Sequence, residues 1–111
     1  MKNFIIYQMS DNNDETLRHI KFLPYAWAKK NNIIPNYKMY EPMYVGEVDS
    51  IKTKTDNIIE LAEAVYGKFN IDIPEDFKGH SLSISDVIVI HGRAFYVDSI
   101  GFVELEDFYN G

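Results

Sequence analysis

The reactive side-chain types of this chain crowd into one stretch, Gly79-His80-Ser81-Leu82-Ser83-Ile84-Ser85-Asp86, with His91 and Asp98 following soon after. A histidine beside a serine and close to carboxylates is the material of general-base catalysis. His80 would take a proton from Ser81 or from water, and Asp86 or Asp98 would orient the ring. The competing reading is structural. Gly79 permits a turn, His80 and Ser81 bond the loop backbone, and Asp86 holds the corner before the apolar run that follows. Catalytic partners are normally assembled by the fold from separate segments, whereas these residues follow one another along a single stretch. Ser81, Ser83 and Ser85 would share a face only if that stretch were a regular strand. The structural reading is favoured.

Other chemistries are less well supported. A metal site would draw on His80, His91, His19 and an acid such as Asp98, but no two histidines stand four apart on a helical pattern. Tyr7, Tyr37, Tyr40 and Tyr44 could stack bases, with Lys29, Lys30, Lys38, Lys52 and Lys54 as the only basic residues to accompany them. Half-buried edge tyrosines with wet hydroxyls explain the same residues. The glycines, at positions 46, 67, 79, 92, 101 and 111, are isolated from one another. No phosphate-cradling loop is therefore expected, and with it no nucleotide or other cofactor.

Charge narrows the partners. Residues 1–55 carry eight basic and six acidic side chains, and residues 56–111 carry three basic and eleven acidic, which gives +2 and −8 and a net −6. Affinity for nucleic acid rests on Lys and Arg displacing counterions, so direct nucleic-acid binding is not expected of the acidic half. That half could instead meet a basic partner, or imitate phosphates through Asp72, Glu75, Asp76, Glu104, Glu106 and Asp107, with Glu60 and Glu63 adding to the count. A solvated acidic surface is the simpler account. The chain has no cysteine, which rules out disulfides, thiolate metal sites and thiol catalysis. Its apolar runs fall short of the roughly 20 residues that span a bilayer, and the opening run meets Gln8 and Asp11 too early for a secretory signal. The expectation is a cytoplasmic protein without a membrane segment.

These residues must be positioned by elements that the patterning outlines. With 111 residues, 46% hydrophobic and 14% aromatic, the chain can bury a core of its own as one domain. Phe4–Met9 predicts a first strand, closed by Ser10-Asp11-Asn12-Asn13. A short turn is expected around Thr16–Phe22, then a helix from about Pro24 at its first position to Lys30. Tyr37–Val48, interrupted by Pro42 and Gly46, predicts an edge strand, firmest over Met43–Val48. Ile58, Leu61, Ala62, Val65 and Phe69 make one apolar stripe. That stripe predicts a helix ending near Asn70, with Thr55, Asp56 or Asn57 as its cap. After a loop or single turn from Pro74, Leu82 and Ile84 alternate with serines, and Val87–Ile90 is a continuous apolar run that predicts a strand buried on both faces. His91-Gly92 can close a two-residue hairpin. Ala94–Asp98 returns, Ser99-Ile100-Gly101 turns again, and Phe102–Leu105 completes a meander. Glu106–Gly111 is a tail that can dock through Phe108 and Tyr109. The predicted class is α+β: a small single domain, β-α-β-α followed by a C-terminal antiparallel β-meander.

The stretch from Phe69 through Asp72-Ile73-Pro74-Glu75-Asp76-Phe77-Lys78-Gly79-His80 to Ser85-Asp86-Val87-Ile88-Val89, with Tyr96-Val97-Asp98-Ser99-Ile100-Gly101-Phe102, closely resembles the signature of YodL-like domains. Ile6-Tyr7-Gln8-Met9 and the Tyr40–Val48 segment also fit that pattern, so the resemblance spans nearly the whole chain. The hairpin at His91-Gly92 is shorter than the family's usual connection. The resemblance implies a place in conjugative elements, plasmids or phages, often within longer proteins, and brings no established catalytic residues. Together with the lack of an assembled catalytic constellation, it leads to the expectation of a non-catalytic interaction module with a protein partner, either host or element-encoded. The expected surface is the Asp76–Ser85 loop with the Asp98–Gly101 turn: Asp76, Gly79, His80, Ser81, Ser83, Ser85, Asp86, Asp98, Ser99 and Gly101. Exposed loops on rigid strands are where such function concentrates. The alternative is a small hydrolase or ligand-binding enzyme centred on His80, Ser81, Asp86 and Asp98.

Overall fold

A computed structural model describes residues 3–9, 21–48 and 57–110. The elements follow in the order β1 (Asn3–Met9), α1 (Tyr25–Lys30), β2 (Tyr40–Glu47), α2 (Ile58–Ile71), β3 (Val87–Ile90), β4 (Arg93–Val97) and β5 (Phe102–Leu105), with single 3₁₀ turns at Tyr37–Met39 and Phe108–Asn110. This is the expected α+β order. All strands join one five-stranded antiparallel sheet, ordered β2-β1-β3-β4-β5. The C-terminal meander β3-β4-β5 thus sits beside the N-terminal strand, with β2 and β5 at the edges.

The period-2 alternation of strand side chains sorts the core into two faces. Phe4, Ile6, Ile88, Ile90 and Val97 point toward α2 and pack on Leu61, Ala62, Val65 and Phe69. Met9, Val87, Val89, Ala94 and Tyr96 point the other way, onto Tyr40, Leu105 and Phe108, with Trp27 and Tyr25 packed against them. Each strand of the middle is therefore covered on both sides, which is why Val87–Ile90 is apolar at every position and buried at every position. Burying Leu61, Val65 and Phe69 contributes about 1.5–3 kcal/mol each, so the α2 stripe is the principal clamp on that face.

Local signals set the element ends. Asn57 caps α2, its Oδ1 accepting from the amides of Ile59 and Glu60 at 3.0 and 3.1 Å. The proposed caps Thr55 and Asp56 lie outside the described residues, as do Ser10–Asn13 and most of the Thr16–Phe22 turn. Pro24 stands one position earlier than expected, as the extended N-cap of α1 at ψ 156°. His91 and Gly92 both take positive φ, 54° and 77°, between paired Ile90 and Arg93, the mirror-image turn that suits strand twist. In the tail, Phe108 is buried and Tyr109 half-exposed. Among the described residues no helix is long and apolar enough to cross a membrane.

The β signal of the serine alternation does not extend β3. Residues 81–86 lie outside β3, irregular but for a turn at Ile84-Ser85, so the serine alternation does not put Ser81, Ser83 and Ser85 on one strand face. Ser85 has φ 84°, which no strand accommodates. Its amide donates to Val97 O at 2.9 Å while the Val97 amide donates to Asp86 O at 2.8 Å. Two residues thus oppose one, a bulge whose first position is usually glycine.

Candidate functional site

Most of the residues singled out from the sequence fall into two places, a buried polar node at the head of β3 and the turn between β4 and β5; Asp76 stands apart beside Tyr44, and His91 sits in the β3–β4 hairpin. The node is built by register. β1 and β3 pair Phe4 with Ile90 and Tyr7 with Val87, and continuing that register sets Gln8 opposite Asp86. Gln8 is 3% and Asp86 1% exposed, so both polar ends need internal partners. The Gln8 amide nitrogen donates to Asp86 Oδ2 at 3.1 Å and to His80 O at 2.8 Å. Asp86 Oδ2 also accepts from the Ser83 amide at 3.0 Å. Burial drives the Asp86 carboxyl up to about 6, against the opposing pull of the Ser83 amide, His80, Gln8 and Lys21.

Ser85 ties the node to the other face. Its carbonyl accepts from the buried Tyr40 hydroxyl at 2.6 Å, and its Oγ accepts from the Phe22 amide at 2.9 Å. Phe22 is itself at positive φ, 69°. Burial first, then Tyr96 and Asp86, pushes the Tyr40 hydroxyl well above its ordinary range, so it remains a donor. The chain that enters α1 is docked by two further bonds: the Tyr96 hydroxyl donates to Leu23 O at 2.7 Å, and the Tyr25 amide donates to Asp98 Oδ1 at 3.2 Å.

His80 is partly exposed, and its ring lies edge-on to Phe22 at 5.5 Å. Its Nδ1 is 2.7 Å from Ser81 O and 3.2 Å from Gln8 Nε2; because a carbonyl can only accept and the Gln8 hydrogens go to Asp86 and His80 O, the shorter contact assigns the ring proton to Nδ1. The same nitrogen is 4.0 Å from Asp86 Oδ2, outside hydrogen-bond range. A catalytic dyad needs the carboxylate to hold that proton and the serine hydroxyl to face the other nitrogen. Here a backbone carbonyl takes the place of the acid. Asp98, the other acid of that reading, is engaged elsewhere, by the Tyr25 and Ser99 amides. The structure brings His80 and Asp86 together but does not assemble them with Asp98 and Ser81 into a relay.

The second place is the turn Asp98–Gly101. The Asp98 amide donates to Gly101 O at 3.0 Å, Asp98 Oδ1 accepts from the Ser99 amide at 2.8 Å, and Gly101 takes φ 71°. At its tip Ile100 is 92% exposed. Ser85 and Asp86, being buried, hold this architecture from inside. Asp76, His80, Ser81, Ser99 and Gly101 are the members of the predicted surface that reach solvent to a substantial degree.

The remaining readings meet the geometry as follows. Among the described residues no group of three His, Asp or Glu side chains could hold a metal ion; His19 lies outside them. The tyrosines do not form one platform. Tyr44 packs on the α2 face, whereas Tyr7 and Tyr40 pack on the other, because their strand positions alternate. Of the acids, Asp72 meets Lys68 at 3.6 Å, and Glu104 meets Arg93 at 2.7 Å. Sequence reasoning missed Gln8, treated only as the end of an apolar run. The signal was available: an amide inside Phe4–Met9, on the Phe4/Ile6 face, requires a buried polar partner.

No curated protein and no solved structure matches the chain. A family model, the YodL-like domain, matches residues 3–108, which takes in β1, both helices, the polar node and the whole meander. The chain belongs to the YodL-like domain family.

Proposed function

We propose that this chain is a non-catalytic protein-interaction module, serving a mobile genetic element by engaging a host or element-encoded protein in the cytoplasm. The observation that carries the reading is Ile100. A large apolar side chain stands almost fully in water at 92% exposure, on a turn pinned by three hydrogen bonds to Asp98 and Gly101. A rigid turn loses little conformational entropy on binding, and an apolar tip gains by leaving water. The locked histidine supports the same side: His80 is bonded to a backbone carbonyl and not to an acid. The mobile-element setting draws support from the family alone, and the cysteine-free composition is consistent with a reducing compartment.

The test is capture from host lysate with wild-type chain, Ile100→Asp and His80→Ala, followed by binding measurements with the purified partner. A stoichiometric protein that binds wild type and is lost with Ile100→Asp, while thermal unfolding is unchanged, supports the module. A partner retained at full affinity by Ile100→Asp removes the turn from the interface and overturns the reading.

A further inference from the structure

The turn and the helix it faces enclose a concavity of about 220 Å³. Glu63 and Tyr66 line it from α2, Asp98 and Ser99 from the turn, and Phe102 from the start of β5. Glu63 and Tyr66 are three apart, so they share one helix face. The Tyr66 and Phe102 rings meet edge-on, 6.4 Å between centroids and 81° between planes. Two acidic residues, Glu63 and Asp98, thus line the concavity from different elements, in company with the Tyr66 and Phe102 rings. Asp98 is held in place by the amides of Tyr25 and Ser99 on a single oxygen.

Size and chemistry restrict the occupant. The space is below the roughly 300 Å³ at which whole drug-sized ligands begin to be accommodated, and suits one long side chain. An anion would meet Glu63 and Asp98. An apolar group would strip water from both carboxylates and return nothing. A guanidinium or ammonium answers the acids and lies favourably on aromatic rings. Of the three basic residues in the acidic half, Lys68 and Arg93 are already paired, with Asp72 and Glu104, and the third, Lys78, does not line the concavity. Ile100, at the rim, offers an apolar contact beyond the concavity. A small free cation such as a polyamine would gain nothing from that contact, whereas a polypeptide reaches both.

We propose that the concavity between α2 and the Asp98–Gly101 turn receives an arginine or lysine side chain from a basic segment of a partner protein, with Ile100 packing on an apolar residue beside it. The proposal rests on the interaction-module reading and names its partner class.

A phage-displayed random peptide library, selected at neutral pH against immobilised wild-type chain, Ile100→Asp and Glu63→Gln, separates the two. The expected result is enrichment of peptides with an arginine or lysine next to an apolar residue. A synthetic copy should weaken about tenfold when that basic residue becomes norleucine and severalfold against Glu63→Gln, with a shallower salt dependence in the latter. Enriched peptides that are apolar or acidic, yet still need Ile100, would leave the module standing and overturn the basic partner. The same follows if norleucine binds as well as arginine, or if free spermidine competes as well as the peptide. Enrichment no better than on an unrelated protein would overturn both.

Discussion

The side-chain amide of Gln8 donates to the buried carboxylate of Asp86 at 3.1 Å, joining β1 to the bulge before β3 across 78 positions of sequence. Neither residue touches solvent appreciably. Because β3 is apolar at every position and β1 beside it runs through Phe4, Ile5 and Ile6, a one-residue slip between them would strand both polar groups among Val, Ile and Phe side chains. The pair therefore disfavours the wrong register, though the right one leaves Gln8 Oε1 buried without a hydrogen-bond partner among the described residues and keeps the Asp86 carboxyl out of water.

Burial raises Asp86 to about 6, so between about pH 4 and that value the folded chain keeps a proton that the unfolded chain has released. This group's favourable contribution is complete below about pH 4 and is lost as pH rises to 6. Urea unfolding of wild type and Asp86→Asn, compared at about pH 4 and about pH 7, should show wild type losing roughly 2–3 kcal/mol relative to the variant. A His80→Asn background removes the neighbouring ring's titration from the comparison. A difference that stays constant with pH would contradict the raised carboxyl.

Gly79 and Gly67 should respond oppositely to alanine. A Cβ at Gly79 would collide with Gln8 Oε1 and lie 2.9 Å from the Phe77 ring, while one at Gly67 meets nothing within 4 Å. Gly67→Ala, inside α2, is expected to stabilise by about 0.5–1 kcal/mol. Gly79→Ala, which pushes on the polar node, is expected to destabilise by about 1–3 kcal/mol. Chemical denaturation of the two variants measures both signs.

Tyr40→Phe removes the donor to Ser85 O and leaves a buried carbonyl unsatisfied at a backbone already at positive φ. The expected loss is about 1–2 kcal/mol. Hydrogen exchange should speed at the Ser85 and Val97 amides before it does so in α2, because those amides close the bulge.

Ile100→Asp is expected to change folding stability by less than about 0.5 kcal/mol, since the side chain makes no use of the core. Gly101→Ala finds open space around its Cβ but keeps φ 71°, so its cost of about 1–2 kcal/mol is conformational. If the pinned turn is the binding element, Gly101→Ala weakens the partner while Ile100→Asp abolishes it, a contrast that titration calorimetry reads directly.

Element order and most boundaries are legible in the residues alone, because they depend on neighbours within a few positions. The α2 stripe is helical spacing, the His91-Gly92 hairpin is turn chemistry, and the uniform apolarity of Val87–Ile90 follows from a strand covered on both sides. The family, too, was legible from the run between Phe69 and Phe102. The rest follows from contacts between distant segments. Serine alternation before Val87 looked like strand, but bonds from Ser85 and Asp86 to distant Val97, Phe22 and Tyr40 stabilise a positive φ that local propensity disfavours. Likewise, only the β1–β3 register could make Gln8 the partner of Asp86, and only the packing of α2 against the meander could bring Glu63 and Asp98 to one concavity. Short-range pattern carries no information about which residues far apart in the chain will meet, and in this protein those meetings fix the polar node and shape the concavity.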